Sequence, residues 1–237
     1  MRQAGCTAKK YNPVVAILIK AGDIYVSVAT ENIEGRFASV YDGLFGVVLA
    51  PIRRNTASVI SRFACRQVVD LGCGTGDQCI HIWRRNPGVV VQGIDVSPCM
   101  ISVARKKSPP EIRYHVADSR TTGFDDNQFD CAIISLVLHA QKQEDRFRIL
   151  EEAHRIVKSH GIIIITDFGC MQSWTGIVSH AVVYVVESFA LNDHRKNFHH
   201  FRKNGAIRSL VASQEFPVIA SKSHYANAIE TIVARIE

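Results

Sequence analysis

The segment Gln67-Val68-Val69-Asp70-Leu71, followed at once by Gly72-Cys73-Gly74-Thr75-Gly76, constrains this chain more than any other stretch. A short run rich in β-branched residues reads as a buried strand. Glycines at alternate positions allow a tight turn and a close approach of backbone to ligand. The next residues, Asp77 to Arg85, read as a helix closed by Asn86-Pro87-Gly88. Strand, glycine turn and helix open a βαβ unit, which commits the downstream chain to a parallel sheet flanked by helices.

The rhythm continues. Val89 to Ile94 is a second strand, and Ser97-Pro98 supplies a helix N-cap and a proline at the first helical position. Arg105-Lys106-Lys107 suits the negative end of that helix. Further strands are expected at Ile112 to Ala117, Phe129 to Ser135 and Ile162 to Thr166. Between the last two, Glu144 to Lys158 places Phe147, Leu150, Ala153 and Val157 on one helical stripe, with Gly161 as its terminator. Pro217 to His224 and Ile229 to Arg235 are two strands joined by Tyr225-Ala226-Asn227-Ala228, short enough for a hairpin and hence an antiparallel edge. Residues 1–64 read as helical with loops, a lid or cap ahead of a core at 65–237. Residues 168–214 read as an insertion near the active end of the sheet, with an apolar helical part from Trp174 to Leu191.

The 237 residues are 47% apolar and 21% charged, enough to bury a core without disulfides and outside the range of disordered chains. A net charge of +6 is mildly basic and leaves anionic partners open. Seven scattered cysteines with no C-x-x-C spacing argue against a disulfide framework and a structural zinc site, making the reducing cytoplasm the default location. No run reaches the ~18 apolar residues of a membrane span, and the N-terminal segment lacks the pattern of a secretory signal.

The acids carry the chemistry. In a dinucleotide fingerprint a third glycine would fall at position 77, where the chain has Asp77, and no G-K-[ST] follows for a Walker loop. Asp70 and Asp77 together disfavour a diphosphate and suit a ligand bearing ammonium and sulfonium charge. Asp95 ends the second strand, where a carboxylate can accept from both hydroxyls of a ribose. Asp118-Ser119 follows the third strand, within reach of an exocyclic adenine amine. Acids at the carboxyl ends of successive parallel strands line the crevice where such sheets bind ligands.

On these residues the chain resembles the class I S-adenosylmethionine-dependent methyltransferases, from about residue 37 to the end. VVDLGCGTG is similar to their first motif, QGIDVSPCMISVARKK to their second and VADS to their adenine loop. FDCAIISLVLHA and RILEEAHRIVKSHGIIIITDF are similar to the fourth and fifth strand regions. FASVYD and HRKNFHHFRKNG most resemble the group containing the ubiquinone/menaquinone C-methyltransferases.

The resemblance implies an α/β, Rossmann-like, doubly wound, seven-stranded and mostly parallel sheet with an antiparallel last strand, plus an N-terminal helical lid. It implies S-adenosyl-L-methionine as cofactor and S-adenosyl-L-homocysteine as product. Gly72, Cys73, Gly74 and Gly76 would face the methionine part, with Asp70 near its ammonium. Asp95 and Val96 would hold the ribose, and Ala117, Asp118 and Ser119 the adenine. Ser135 and Leu136 would flank the sulfonium, and Tyr41 would close from the lid. Asp77 departs from the family pattern. The expected reaction is methyl transfer to a small-molecule or lipid-like acceptor. An RNA or protein methyltransferase and a non-catalytic cofactor-binding module are the alternatives.

Nucleic acid is not an expected partner, because the chain after the fourth strand reads Ser135-Leu136-Val137-Leu138 instead of Asn/Asp-Pro-Pro-aromatic. His139, just past that strand, is the candidate general base for a protonated acceptor or, equally, a residue bonded to a backbone carbonyl. His194, His199 and His200 have poor spacing for one helix face and no acid nearby, so no metal site is expected. The basic residues Arg195, Lys196, Arg202, Lys203 and Arg208 read as a solvated face or as a contact for an anionic group or membrane surface. A stripe of Val178, Val182, Val185 and Val186 reads as packing or as the wall of an apolar pocket. Monomer and homodimer both remain open.

Overall fold

A computed structural model describes residues 15–20, 23–28, 34–169 and 192–237. Strand β3 (Gln67–Leu71) leads through the glycine turn into α2 (Asp77–Arg85), β4 (Val90–Asp95), α3 (Pro98–Lys107) and β5 (Arg113–Val116). Strand β6 (Phe129–Ser135), a 3-10 turn at Leu138–Ala140, α4 (Gln143–Ile156) and β7 (Val157–Phe168) come next. Helices α5 (Asn192–Lys203) and α6 (Ala206–Ala212) precede the closing hairpin of β8 (Val218–His224) and β9 (Ile229–Arg235).

Seven strands form one sheet in the order β5-β4-β3-β6-β7-β9-β8. Pairing is parallel from β5 to β7, and β9 alone runs against its neighbours β7 and β8. The expected sheet and its antiparallel last strand are therefore present. Strand order reverses between β3 and β6, which opens a crevice beyond their carboxyl ends.

Residue parity divides the core into two layers. Val69, Leu71, Ile134, Ile163 and Ile165 pack with α4, α5 and α6 on one face. Val68, Ile133, Ile162 and Ile164 pack with α2 and α3 on the other. Each fully buried aliphatic side chain contributes about 1.5–3 kcal/mol, so an unbroken isoleucine run suits a strand covered on both faces. Helix α3 has the expected ends: Ser97 Oγ accepts from the Met100 amide at 3.3 Å, Pro98 follows, and three basic residues fill the last turn.

Two expectations change. Residues 1–64 are not wholly helical, because β1 (Val15–Lys20) and β2 (Asp23–Val28) form an antiparallel pair ahead of α1 (Glu34–Arg62). Their register sets Val15 against Val28, Ile17 against Val26 and Ile19 against Ile24, pairs of β-branched residues that favour a sheet over a helix. Helix α4 ends at Ile156, not at Lys158, and β7 starts at Val157. The amides of Asn127 and Gln128 donate to the carbonyls of Arg155 and Ile156 at 3.0 and 2.8 Å. That capture closes the helix and hands Val157 to a pairing with Phe129. The expected apolar helix at 174–191, with its valine stripe, lies outside the described residues.

Candidate active site

The glycine turn sits at the reversal of strand order. Gly72 and Gly74 have φ of +80° and +53°. A Cβ on Gly72 would lie 2.5 Å from a Val137 methyl, whereas one on Gly74 would meet nothing within 4 Å and would project into open space. The loop is bare backbone facing a cavity of about 520 Å³.

Asp70, at the end of β3, lines this cavity and is 1% exposed. Its Oδ2 accepts from the Cys79 thiol at 3.5 Å, while Oδ1 has no hydrogen-bond partner among the described residues. Burial, reinforced by the nearby Asp95 charge, raises the Asp70 carboxyl to about 7 against the hydrogen bond from Cys79. Asp95, at the end of β4, accepts from the Gly74 amide through Oδ2 and from the Ser97 amide through Oδ1, each at 2.9 Å. One carboxylate thereby fixes the glycine turn against the β4 turn and keeps lone pairs facing the cavity. Val96 is 64% exposed and offers an apolar surface beside it.

Asp118 lies two residues beyond β5. Arg120 donates to it from Nε at 3.0 Å and from Nη2 at 2.5 Å, and reaches Asp145 on α4 through Nη1 at 2.9 Å. The Arg120 guanidinium holds the Asp118 carboxyl below the usual range. Behind this strap, Glu152 Oε1 accepts from the Thr122 amide and hydroxyl at 2.7 and 2.6 Å, which ties the segment to α4.

Ser135 and Leu136 line the cavity at the end of β6. Leu136 has φ of +57°, a left-handed conformation costing a branched side chain about 1–3 kcal/mol, and its amide donates to Thr166 O at 2.8 Å.

Of the residues expected here, Asp70, Gly72, Cys73, Gly74, Asp95, Val96, Asp118, Ser119, Ser135 and Leu136 share one cavity. Gly76 and Ala117 are not on its wall. Gly76 turns the chain into α2 beneath the Tyr114 ring, and Ala117 packs on the core. Tyr41 falls within α1, with its side chain outside the described residues. His139 does not line the cavity either. It is 4% exposed, its Nδ1 lies 2.8 Å from Asp167 Oδ1, and its ring packs edge-on against Phe168 and Phe198. Among the described residues no cluster of His, Cys, Asp and Glu could hold a metal ion.

The electrostatic role expected of Asp77 needs correcting. Arg53 Nη2 lies 3.2 Å and Lys107 Nζ 2.5 Å from its two carboxylate oxygens, so its charge is neutralised locally. Asp70 is the acid that opposes a second anion. Motif reading passes over Arg53 and Gln78, yet both line the cavity. Each interrupts a buried helical stripe: Arg53 among Leu49, Ile52 and Ile60, Gln78 one turn before Ile82. A polar residue on an apolar stripe is the signal that could have found them.

Comparison with known proteins agrees with this geometry. Residues 68–161 match a family model described as a methyltransferase domain. The ubiquinone/menaquinone biosynthesis C-methyltransferase UbiE of Citrifermentans bemidjiense is 33% identical over 151 residues, covering 58% of this chain and 63% of that protein. The demethylmenaquinone methyltransferase of Thermus thermophilus is 29% identical over 119 residues, 49% of this chain and 53% of that one. The chain thus spans between about half and just under two thirds of the length of these curated relatives. An O-methyltransferase family protein from Burkholderia thailandensis superposes with a TM-score of 0.65 at 16% identity, over 87% of this chain and 60% of that one, which speaks to the fold.

Proposed function

We propose that this chain is a class I S-adenosylmethionine-dependent methyltransferase that transfers a methyl group from S-adenosyl-L-methionine to a small, quinol-like or lipid-like acceptor. One observation carries the reading: Asp70, Asp95 and Asp118, from the carboxyl ends of β3, β4 and β5, all line the cavity beneath a bare glycine turn.

The residues present fit the cofactor. Asp70 Oδ1 is a buried acceptor in want of a donor, as an ammonium would supply. Asp95 has lone pairs left for ribose hydroxyls, and Val96 gives the base an apolar face. Asp118 with Ser119 holds the adenine edge, while Arg120 fixes the carboxylate's orientation. Ser135 and Leu136 form the wall towards the acceptor. When bound, the cofactor supplies an electrophilic methyl on a sulfonium, already a good leaving group. The protein's part is alignment and exclusion of water. His139 and Asp167 set the turn that carries Val137, Ala140 and Gln141 on the cavity wall; with its ring off that wall, His139 is a positioning residue and not the base expected from its place after β6.

The relatives are named for ubiquinone and menaquinone biosynthesis and for demethylmenaquinone methylation, which favours a small acceptor over RNA or protein. Helix α5 exposes Arg195, Lys196, His199 and Lys203 while burying Phe198 and Phe201, a face suited to the anionic surface in which a lipid-like acceptor resides. Cys65, Cys73, Cys79 and Cys131 are thiols without a disulfide, which favours a cytoplasmic location.

The test is transfer of an isotopically labelled methyl from the cofactor to a panel of demethylated quinols, with and without anionic vesicles. Labelled product supports the reading. Tight binding of S-adenosylhomocysteine with no transfer to any small acceptor supports a non-catalytic module instead.

A further inference from the structure

Arg146, on α4, is 3% exposed, yet it makes no ion pair with a carboxylate among the described residues. Burial lowers the pKa of its guanidinium, and the Asp167 charge opposes that shift. A buried cation with no counterion at hand costs more than an apolar side chain filling the same space, so packing alone does not account for it. What an arginine adds is direction, because its donors form a rigid fork. Nε donates to Leu138 O at 2.8 Å and Nη2 to Asn197 O at 2.7 Å, with the guanidinium carbon 4.8 Å from the centre of the Phe201 ring.

Asn197 returns the contact, its Nδ2 donating to Ala140 O at 2.8 Å. The turn at Leu138–Ala140 is thus tied to α5 through two of its own carbonyls, while Asp167 accepts from its Leu138 and His139 amides. Phe198, beside Asn197, packs edge-on against Phe168 with ring centroids 5.0 Å apart. Helix α5 belongs to the insertion at 168–214 that the sequence places near the active end of the sheet. The turn it grips carries Val137, Ala140 and Gln141 on the cavity wall, next to Leu136.

Resting on the methyl-transfer reading, we infer that Arg146 and Asn197 are positioning residues for the acceptor: they lock α5 to the turn after β6 and so fix the wall against which the acceptor meets the methyl. Hydrogen bonds to carbonyls set this register more narrowly than the Phe198 and Phe201 rings could, since apolar contact has no direction. The lock bypasses the cofactor's own holders. Asp70, Asp95 and Asp118 come from the ends of β3, β4 and β5, and none of them bonds to Arg146 or Asn197. Loosening it therefore shifts the acceptor's wall and leaves the nucleoside held. Transfer in line is sensitive to such a shift, because a misplacement of about 1 Å costs about a hundredfold in rate.

The test compares the full chain with Asn197→Ala, Asn197→Asp and Arg146→Gln. Calorimetry with S-adenosylhomocysteine reads the cofactor site, and steady-state kinetics read transfer to whichever of the demethylated quinols the wild-type chain methylates fastest. Both are run well below each variant's melting temperature. Asn197→Ala should lower kcat by about tenfold or more while S-adenosylhomocysteine affinity stays within a factor of about two. Asn197→Asp has the same shape but turns an oxygen on Ala140 O, so it should lose at least as much. Arg146→Gln should lose most, and where it fails to fold the half-buried Asn197 carries the test. Unchanged kcat in the Asn197 variants, with or without a lower melting temperature, overturns the role, because a merely structural bond would behave so. Equal losses in kcat and in S-adenosylhomocysteine affinity overturn it too, and both outcomes leave methyl transfer standing. A wild-type chain that methylates none of the quinols overturns the methyl-transfer reading and this role with it.

Discussion

His139 Nδ1 lies 2.8 Å from Asp167 Oδ1, joining the turn after β6 to the end of β7 inside the core. Asp167 is fully buried and also accepts from the amides of Leu138 at 2.9 Å, His139 at 3.2 Å and Phe168 at 2.8 Å. The same turn is gripped from the other side by Arg146, whose Nε donates to Leu138 O at 2.8 Å and whose Nη2 donates to Asn197 O on α5 at 2.7 Å. The relationship is first a structural one: it fixes the backbone that carries Val137, Ala140 and Gln141 to the cavity.

His139→Ala should therefore lower unfolding free energy by about 1–3 kcal/mol, since it deprives a buried carboxylate of one donor. S-adenosylhomocysteine affinity should fall much less, because His139 is not on the cavity wall. Urea denaturation and calorimetry of the same variant separate the two effects. Unchanged stability would show that the pair does not hold the turn.

Asp95→Ala removes the acceptor for both the Gly74 and Ser97 amides as well as the proposed ribose contact. Binding of S-adenosylhomocysteine should weaken by about a hundredfold or more. Circular dichroism should retain the native spectrum, because Asp95 is only partly buried. A loss under about fivefold would remove Asp95 from the site.

Asp70 gives the site a pH dependence. Its carboxyl is raised to about 7 in the ligand-free protein, and an ammonium favours the ionised form. Affinity should rise about tenfold per unit as pH approaches 7 from below and level off above it, with a proton released on binding in the rising range. The stability of the ligand-free protein runs the other way. The contribution of the protonated acid is complete below the unfolded value near 4 and is lost as pH rises through about 7. Asp70→Asn should flatten the stability profile between those limits, checked by melting temperature against pH.

Glu152 behaves oppositely. Its buried carboxylate accepts from Thr122 and Arg155, and these bonds outweigh burial and hold it at about 2. The stability it confers is present above about 4.5 and is lost as pH falls through about 2. Glu152→Gln should reduce acid resistance and loosen the strap that carries Asp118, readable as faster amide exchange at residues 119–124.

Fold and site are legible in the sequence where local pattern and tertiary need agree. Strand β6 begins at Phe129 and ends at Ser135 as its residues suggest, and the ends of α3 follow from Ser97, Pro98 and the terminal basic residues. The boundary at Ile156 is not legible, because Val157 fits the helical stripe and is drawn into β7 only by pairing with Phe129. The neutralisation of Asp77 is hidden because its partners, Arg53 and Lys107, lie 24 residues before and 30 after it. The places of Arg53 and Gln78 on the cavity wall are hidden for a similar reason: Arg53 comes from α1, outside every motif, and Gln78 looks like any polar residue in a first helical turn.

The most direct measurement is paired calorimetric titration of the wild-type chain with S-adenosylhomocysteine and with NAD at about pH 7.5 and pH 6, either side of the Asp70 transition. Saturable one-to-one binding of S-adenosylhomocysteine, tighter at the higher pH, with no heat from NAD, is the expected result. Binding of NAD with no binding of the sulfur nucleoside contradicts it.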